Sequence, residues 1–284
     1  MADWPTLQKS SQRLHPGRKK MVRSIMSHFS DIFSPAPPEL LAERALLKRV
    51  DTKFICHRKH LLELCESLQT MYCAAISGTT AHAPYRTIYW DTEERQCLID
   101  HHRGKRPRFK VRIRHHLARE LTFLEVKSSR RKGKTAKSRI HLPFSTEDIS
   151  RKEMAENLVA HPNIPATQIR PRMWVEFRRT TLAGINIEER LTIDTDLVFR
   201  DQNGEKKITD LVILEVKQAR RNHHSPSMKV LRDKQYKEIS LSKYVTGAQC
   251  LWPEIRLNRY KPNMREIHRV TRSKEHETWN NSLN

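Results

Sequence analysis

The chain of 284 residues carries 54 Lys and Arg against 32 Asp and Glu, a net charge of +22. That length can bury a core without staples, and the charge calls for a polyanionic partner: nucleic acid, an anionic membrane or phosphate compounds. No apolar run approaches the ~20 residues of a membrane span, the N-terminus lacks a signal peptide's apolar core, and five cysteines without a CxxC read as reduced thiols, so a soluble cytoplasmic protein is expected.

In chain order, residues 1–38 read as a basic extension ending in the Pro-rich break SPAPPE. A folded domain is expected over 39–258. It starts with a short helix running into a strand around 48–56, followed by a helix over 57–75, where Leu61, Leu62, Cys65, Leu68 and Met71 form one stripe. Extended segments follow: YRTIYW, RFKVRIRHH, LTFLEVKSS, KSRIHLPF, MWVEFRRTTL, RLTIDTDLVF and LVILEVKQA. The run SSRRKGKTAK (128–137) is expected to be a hairpin turn. Residues 145–160 suit a helix with Ser145 as its cap. The stretch 229–250 reads as helix, and 259–284 as a loose polar tail. About eight strands joined by short connections point to an antiparallel α+β fold, and a closed β-barrel manages such a strand set best.

The faces of these strands carry the functional signal. In RFKVRIRHH (108–116), Arg108, Lys110, Arg112 and Arg114 share one parity, and Phe109, Val111 and Ile113 the other. Residues 101–140 hold 15 Lys and Arg against two Glu, +13 of the total charge. Glu125 and Lys127 share a face in FLEVK, Glu215 and Lys217 in LVILEVKQ, and Lys137, Arg139 and His141 in KSRIHL. Arg49, Asp51 and Lys53 share one in KRVDTKF, and Arg190, Asp194 and Asp196 in RLTIDTDL, opposite Leu191, Ile193 and Leu197. An ordinary antiparallel sheet would turn such cations to water. A barrel with a charged lumen and helices packed outside would enclose them. Two features favour the barrel: carboxylates recur two residues from lysines, twice as LEVK, and each EVK sits inside an apolar strand. A cationic lumen is costly when empty, and a phosphate chain with a hard divalent cation would neutralise it.

The motifs KRVDTKF (48–54), TIYWDT (87–92), HHRG (101–104), KVRIR (110–114), FLEVK (123–127), KTAKSRI (134–140), FRRT (177–180), RLTIDTDL (190–197), VILEVK (212–217) and SLSKYVTG (240–247) together resemble the VTC domain. That module and its bacterial relatives, the polyphosphate polymerase domain proteins, are triphosphate tunnel metalloenzymes. The resemblance implies a tunnel in which the γ-phosphoryl of ATP passes to a polyphosphate chain with Mn²⁺ or Mg²⁺. By motif, Lys53, Arg112, Arg114, Lys127, Arg179, Arg190, Lys217 and Lys243 would contact phosphate, with Ser242 facing it. Lys137 and Arg139 would line the wall. Glu215 would hold the metal, with Glu125 assisting it or pairing with a lysine. Of these, Arg112, Arg114, Lys127, Arg179, Arg190 and Glu215 would be catalytic. Some positions depart from the family: Ser240 stands where the eukaryotic polymerase has a basic residue, His102 falls near the place of a further arginine, Phe177 lacks a tyrosine hydroxyl, and the first strand has no ExExK. These departures bear on processivity and product more than on triphosphate binding.

Two other readings stand beside the polymerase: an inorganic triphosphatase, in which water attacks at the same site, and a non-catalytic module binding polyphosphate or inositol polyphosphates. Nucleic acid is not expected, since no HTH, RRM or zinc motif appears and glutamates interrupt the basic strands. The pairs His101–His102, His115–His116 and His223–His224 lack HxxxH or HExxH spacing and read as solvated or phosphate-facing residues. Members of the family commonly work beside a membrane-protein partner; nothing in this sequence names one.

Overall fold

The computed structural model describes residues 32–45, 50–129, 135–146, 149, 151–158, 164 and 166–272. Residues 130–134, where a hairpin turn is expected, the residues before 32, Lys48 and Arg49 of the first motif and the end of the chain from 273 lie outside these residues. Alternating segments become strands: β1 (Val50–His57), β2 (Tyr72–Ala74), β3 (His82–Asp91), β4 (Arg108–His116), β5 (Leu121–Ser129), β6 (Thr135–Leu142), β7 (Arg170–Gly184), β8 (Glu189–Arg200), β9 (Glu205–Ile208) and β10 (Leu211–Gln218). The helices are α1 (Pro38–Glu43), α2 (Leu61–Glu66), α3 (Gln96–Arg103), α4 (Arg151–Asn157), α5 (Pro226–Asp233), α6 (Lys243–Leu251) and α7 (Lys261–Thr271). None of the described helices is long and apolar enough to cross a membrane.

The strands form one antiparallel sheet in the order β1-β10-β8-β7-β3-β4-β5-β6, with β2 added to β7 and β9 to β8. The expected closed barrel is corrected here. Among the described residues no ladder joins β1 to β6, so the hydrogen-bonded sheet stays open. It is curled nonetheless: the charges of Lys53 and Asp51 on β1 act on Lys127 of β5, six strands further along the order. The outer edge of β1 is covered by a bridge from Phe54 to Glu238, where the Ile239 N–H donates to the Lys53 carbonyl at 2.9 Å.

Register places Lys53, Glu215 and Thr192 on one face, and Arg112, Glu125 and Arg139 on the same face of the other half. The opposite, convex face is apolar and buried, as expected for a sheet covered outside by helices. Phe54, Leu182, Ile193 and Leu214 pack there against Leu61 and Leu64 of α2 and Leu231 of α5. Ile88, Val111, Ile113 and Leu124 pack against Met154 of α4 and its flanks.

The concave face is not cationic throughout. Its parity turns apolar at Ile55, Tyr89, Met173, Val175 and Ile213, and α6 docks there through Tyr244, Val245 and Ala248. Gly247 permits that approach, since a Cβ would lie 2.5 Å from both Met173 Sδ and a ring carbon of Phe199. So one helix sits inside the curl. Asp196 also leaves the expected face. It takes a left-handed φ of 54° beside a register shift in the β7–β8 ladder. Its carboxylate pairs with Arg58, while Leu197 and Phe199 turn inward beneath α6.

Four helical expectations change. Within 145–160 the helix is α4, Arg151–Asn157, and Ser145, in a turn at a left-handed φ of 61°, is not its cap. The stripe at 57–75 is helical only through Glu66, and its end becomes β2. The stretch 229–250 is two helices, α5 and α6, with a non-helical segment between them. Residues 261–271, expected within a loose tail, form α7, because Met264, Ile267 and Val270 put an apolar stripe onto the core beside Leu257.

Candidate phosphate-binding site on the concave face

The uncovered part of the concave face gathers Lys53, Lys110, Arg112, Arg114, Lys127, Lys137, Arg139, Arg179, Arg190, Lys217 and Lys243 around the carboxylates of Asp51, Glu125, Asp194 and Glu215. Three of these carboxylates organise the cations into clusters.

Glu125, 3% exposed, is the hub of β4, β5 and β6. It accepts from Arg112 Nε at 2.8 Å and Nη2 at 2.7 Å, and from Lys137 Nζ at 2.9 Å, with Arg114 and Arg139 each at 3.6 Å. Burial alone would raise its pKa; Arg112, Arg114 and Lys137 override that and hold it far below the usual range. Arg114 sits among more cations than it has anions. Burial, then the Arg112 charge, lower its guanidinium to about 10.

Asp194 is the second hub. Arg179 grips it with both Nε (2.6 Å) and Nη2 (2.8 Å), and Lys243 from the first turn of α6 donates to the same carboxylate. Glu215 is the third. Lys217 donates to it from the same strand face, and Lys53 lies 3.6 Å away on β1. Burial pushes the Glu215 pKa up, but Lys217 and Lys53 bring it well below the ordinary value. Burial lowers Lys217 and Lys243 to about 8, even against the raising charges of Glu215 and Asp194.

Lys110 lies apart from these carboxylates. Its ammonium meets His101 Nε2 at 3.1 Å and donates to Ser242 Oγ at 2.9 Å. Burial, then Lys127 and Lys53, drive its pKa well below that of a free lysine. Burial and the Lys110 charge push His101 down to about 3, so it is neutral at pH 7 and serves as an acceptor. Ser242 is the N-cap residue of α6, yet its hydroxyl makes no cap bond to that helix.

The elements that hold these side chains meet at Asp91, the acid of the TIYWDT motif. Its fully buried carboxylate accepts from the backbone N–H groups of Thr92 and Cys97 (2.8 Å each) and Leu98 (3.0 Å), and from the Tyr244 hydroxyl at 2.6 Å. One residue thereby caps α3 and ties it to α6. The HHRG motif ends α3, with Gly104 at a φ of 71° as the left-handed stop.

The structure brings together every site residue expected from sequence. Lys137 and Arg139 belong to the Glu125 cluster, Arg190 lies opposite Lys217 across the β8–β10 ladder, and Lys127 is exposed. Sequence reasoning passed over Asp194, Lys110 and Asp91 as site-building residues. The first two were visible as members of the alternating faces; Asp91 had no such signal, because its role depends on a distant tyrosine. Among the described residues no three His, Cys, Asp or Glu side chains gather as a metal cage. Of the three hubs, Glu215 is the most open, at 16% exposure. That fits an ion drawing most of its ligands from substrate oxygens and water. Glu125 is committed to cations.

The VTC domain model matches residues 48–252, and the chain belongs to the VTC domain family. No curated protein sequence matches it significantly. Among solved structures it is similar to a candidate adenylate cyclase from Bacillus halodurans (TM-score 0.48, 13% identity, covering 72% of this chain and 97% of that one). It is also similar to HpAC1 from Hippeastrum, a protein with a dominant triphosphatase activity (TM-score 0.43, 12% identity, 74% and 99% covered). A conserved hypothetical protein from Pyrococcus furiosus follows (TM-score 0.39, 14% identity, 70% and 99% covered).

Proposed function

We propose that the chain is a metal-dependent phosphoryl transferase acting on ATP and polyphosphate, moving the γ-phosphoryl group onto the end of a polyphosphate chain. The observation that carries this reading is the surplus of enclosed cations over carboxylates on the concave face, together with membership of the VTC domain family. Each inner acid already holds two or more cations, so added negative charge is needed to neutralise the rest. A phosphate chain supplies it as a line of bidentate acceptors suited to guanidinium forks.

Phosphoryl transfer asks little covalent chemistry of a protein. Arg112, Arg114 and Arg179, held by Glu125 and Asp194, would present fixed donors to the three oxygens of the transferring group. Lys53, Lys127, Arg190, Lys217 and Lys243 would hold the flanking phosphates, with Ser242 and Lys110 at the start of α6. The terminal oxygen of the acceptor chain attacks in line, the bond to the β–γ bridging oxygen breaks, and ADP leaves with that oxygen. Glu215 would hold Mn²⁺ or Mg²⁺ together with substrate oxygens, and the ion would supply charge neutralisation there. A site that takes ATP suits the cytoplasm, and the free thiols of Cys56, Cys65, Cys73 and Cys97 suit it too.

The test is incubation with ATP and Mn²⁺ or Mg²⁺, with products resolved on a polyphosphate-stained gel and ADP measured. A ladder of long chains is expected. ADP and free phosphate without chains would assign the same site to triphosphatase chemistry. No turnover, with a melting temperature indifferent to tripolyphosphate, would end the reading.

A further inference from the structure

The β4–β6 wall has two chemically different ends. At one, Lys110 and Lys127 pair across β4–β5, and Lys127 pairs with Lys137 on β6. At the other, inward positions turn aromatic: His116 on β4, Phe123 on β5, His141 on β6, Tyr85 on β3 and Phe177 on β7. These rings form a connected set. Tyr85 stacks on Phe177 at 5.4 Å and meets His116 at 4.6 Å, and Phe123 meets His116 and His141 edge-on at 5.6 and 5.4 Å. The Arg139 guanidinium lies over the Phe123 ring at 3.5 Å. Its side chain is 43% exposed, so its other side faces solvent, and His141 beside it is exposed.

A chain of phosphates has no use for such a surface. Phosphate oxygens seek charge and N–H donors, which the lysine end offers in excess. Aromatic faces and a guanidinium plane instead stack on flat π-systems. His116 adds to this character, because burial, then Arg114 and Arg139, lower it to about 3 and leave it neutral at pH 7. Arg114 and Arg179 adjoin this end and reach back toward the phosphate clusters.

We propose that the Arg139–Phe123 platform, flanked by His116 and His141, takes the base of a nucleoside triphosphate; this rests on the phosphoryl-transfer reading above. The triphosphate would then run from Arg114 and Arg179 toward the lysine end, which is left for the growing chain. The site would thus have a direction, with the nucleotide at the aromatic end and the phosphate polymer at the other.

The experiment compares ATP with tripolyphosphate, which offers the phosphates without a base, by calorimetric titration of the 284-residue chain. Phe123→Leu keeps apolar bulk but removes the π-face, and His141→Ala alters an exposed residue. Base stacking is worth enough that each variant should lose roughly fivefold in ATP affinity, while tripolyphosphate affinity stays within about twofold of wild type. In parallel, the fluorescence of 2-aminopurine riboside triphosphate should be quenched by the wild-type chain and less so by Phe123→Leu. Equal losses for both ligands, or unchanged ATP binding in both variants, would overturn the base platform and leave the phosphate reading standing. A wild-type chain that binds neither ligand would overturn both.

Discussion

The tetrapeptide LEVK occurs on β5 (Leu124–Lys127) and again on β10 (Leu214–Lys217), and the two copies do different things. On β5 the glutamate is 3% exposed and serves as counter-ion to Arg112, Arg114, Lys137 and Arg139, while its lysine is exposed. On β10 the glutamate is 16% exposed and pairs with its own Lys217, which is the buried member, at 9%. The cause is the neighbouring strands. β5 lies between β4 and β6, whose inward positions are basic, so Glu125 faces arginine on one side and arginine on the other. β10 lies between β1 and β8, where Glu215 faces Lys53 and Thr192, which leaves its carboxylate fewer partners and more room. Identical local sequence therefore yields a structural anion in one place and an available one in the other.

Exchanging charge for an isosteric amide in each copy tests that contrast. Glu125→Gln should be the more damaging to the fold. It leaves Arg112 and Arg114 enclosed without their anion, and removing one partner of a buried ion pair costs about 3 kcal/mol. The melting temperature should fall clearly, and tripolyphosphate should restore much of the loss by replacing the missing charge. Glu215→Gln should reverse the pattern, with a smaller loss of stability and a larger loss of activity. Losing a contact that acts on transition-state charge costs on the order of 10²-fold in rate. Calorimetry and product assays on both variants give the answer. Equal stability losses, or a Glu215→Gln enzyme within a few-fold of wild type, would erase the distinction.

The same two strands show how far the sequence can be read. Alternation alone located β4 over Arg108–His116 and put Lys53, Arg112, Glu125 and Glu215 on one face, because a strand's side-chain period survives any tertiary context. It could not tell which glutamate would be crowded by cations, since that depends on strand order across the sheet. It also failed where one residue reset the period. Asp196 in its left-handed conformation turns Leu197 and Phe199 inward, and the interior beneath α6 becomes apolar. Helix α7 was hidden because Met264, Ile267 and Val270 are a thin stripe within a strongly polar stretch. That no ladder joins β1 to β6 among the described residues was beyond pattern altogether, because closure depends on curvature rather than composition.

The lysines of the two copies provide the finest test of the difference. Burial lowers Lys217 to about 8, against the opposing charge of Glu215, and Lys243 reaches about 8 for the same reason. Both ammoniums are charged at pH 7 and lose their protons as pH rises through 8. An anion prefers them charged, so tripolyphosphate affinity should fall with rising pH, by roughly tenfold per group for each unit above the pKa at the limit. The fall should be softer in practice, because the bound anion itself favours the protonated forms. Lys217→Arg replaces one of these groups with a cation that stays charged. It should remove part of the alkaline decline, and Lys217→Arg combined with Lys243→Arg should remove most of it. Lys127 is also lowered, by burial and then by the Lys53 charge, but it is exposed and water can still stabilise its charge. Lys127→Arg should therefore leave the slope close to that of wild type. Titrations of tripolyphosphate between pH 7 and pH 9.5 on the three variants decide the matter. A slope flattened as much by Lys127→Arg as by Lys217→Arg would mean that the two LEVK lysines are equivalent, and that burial on β10 does not set the charge state of the site.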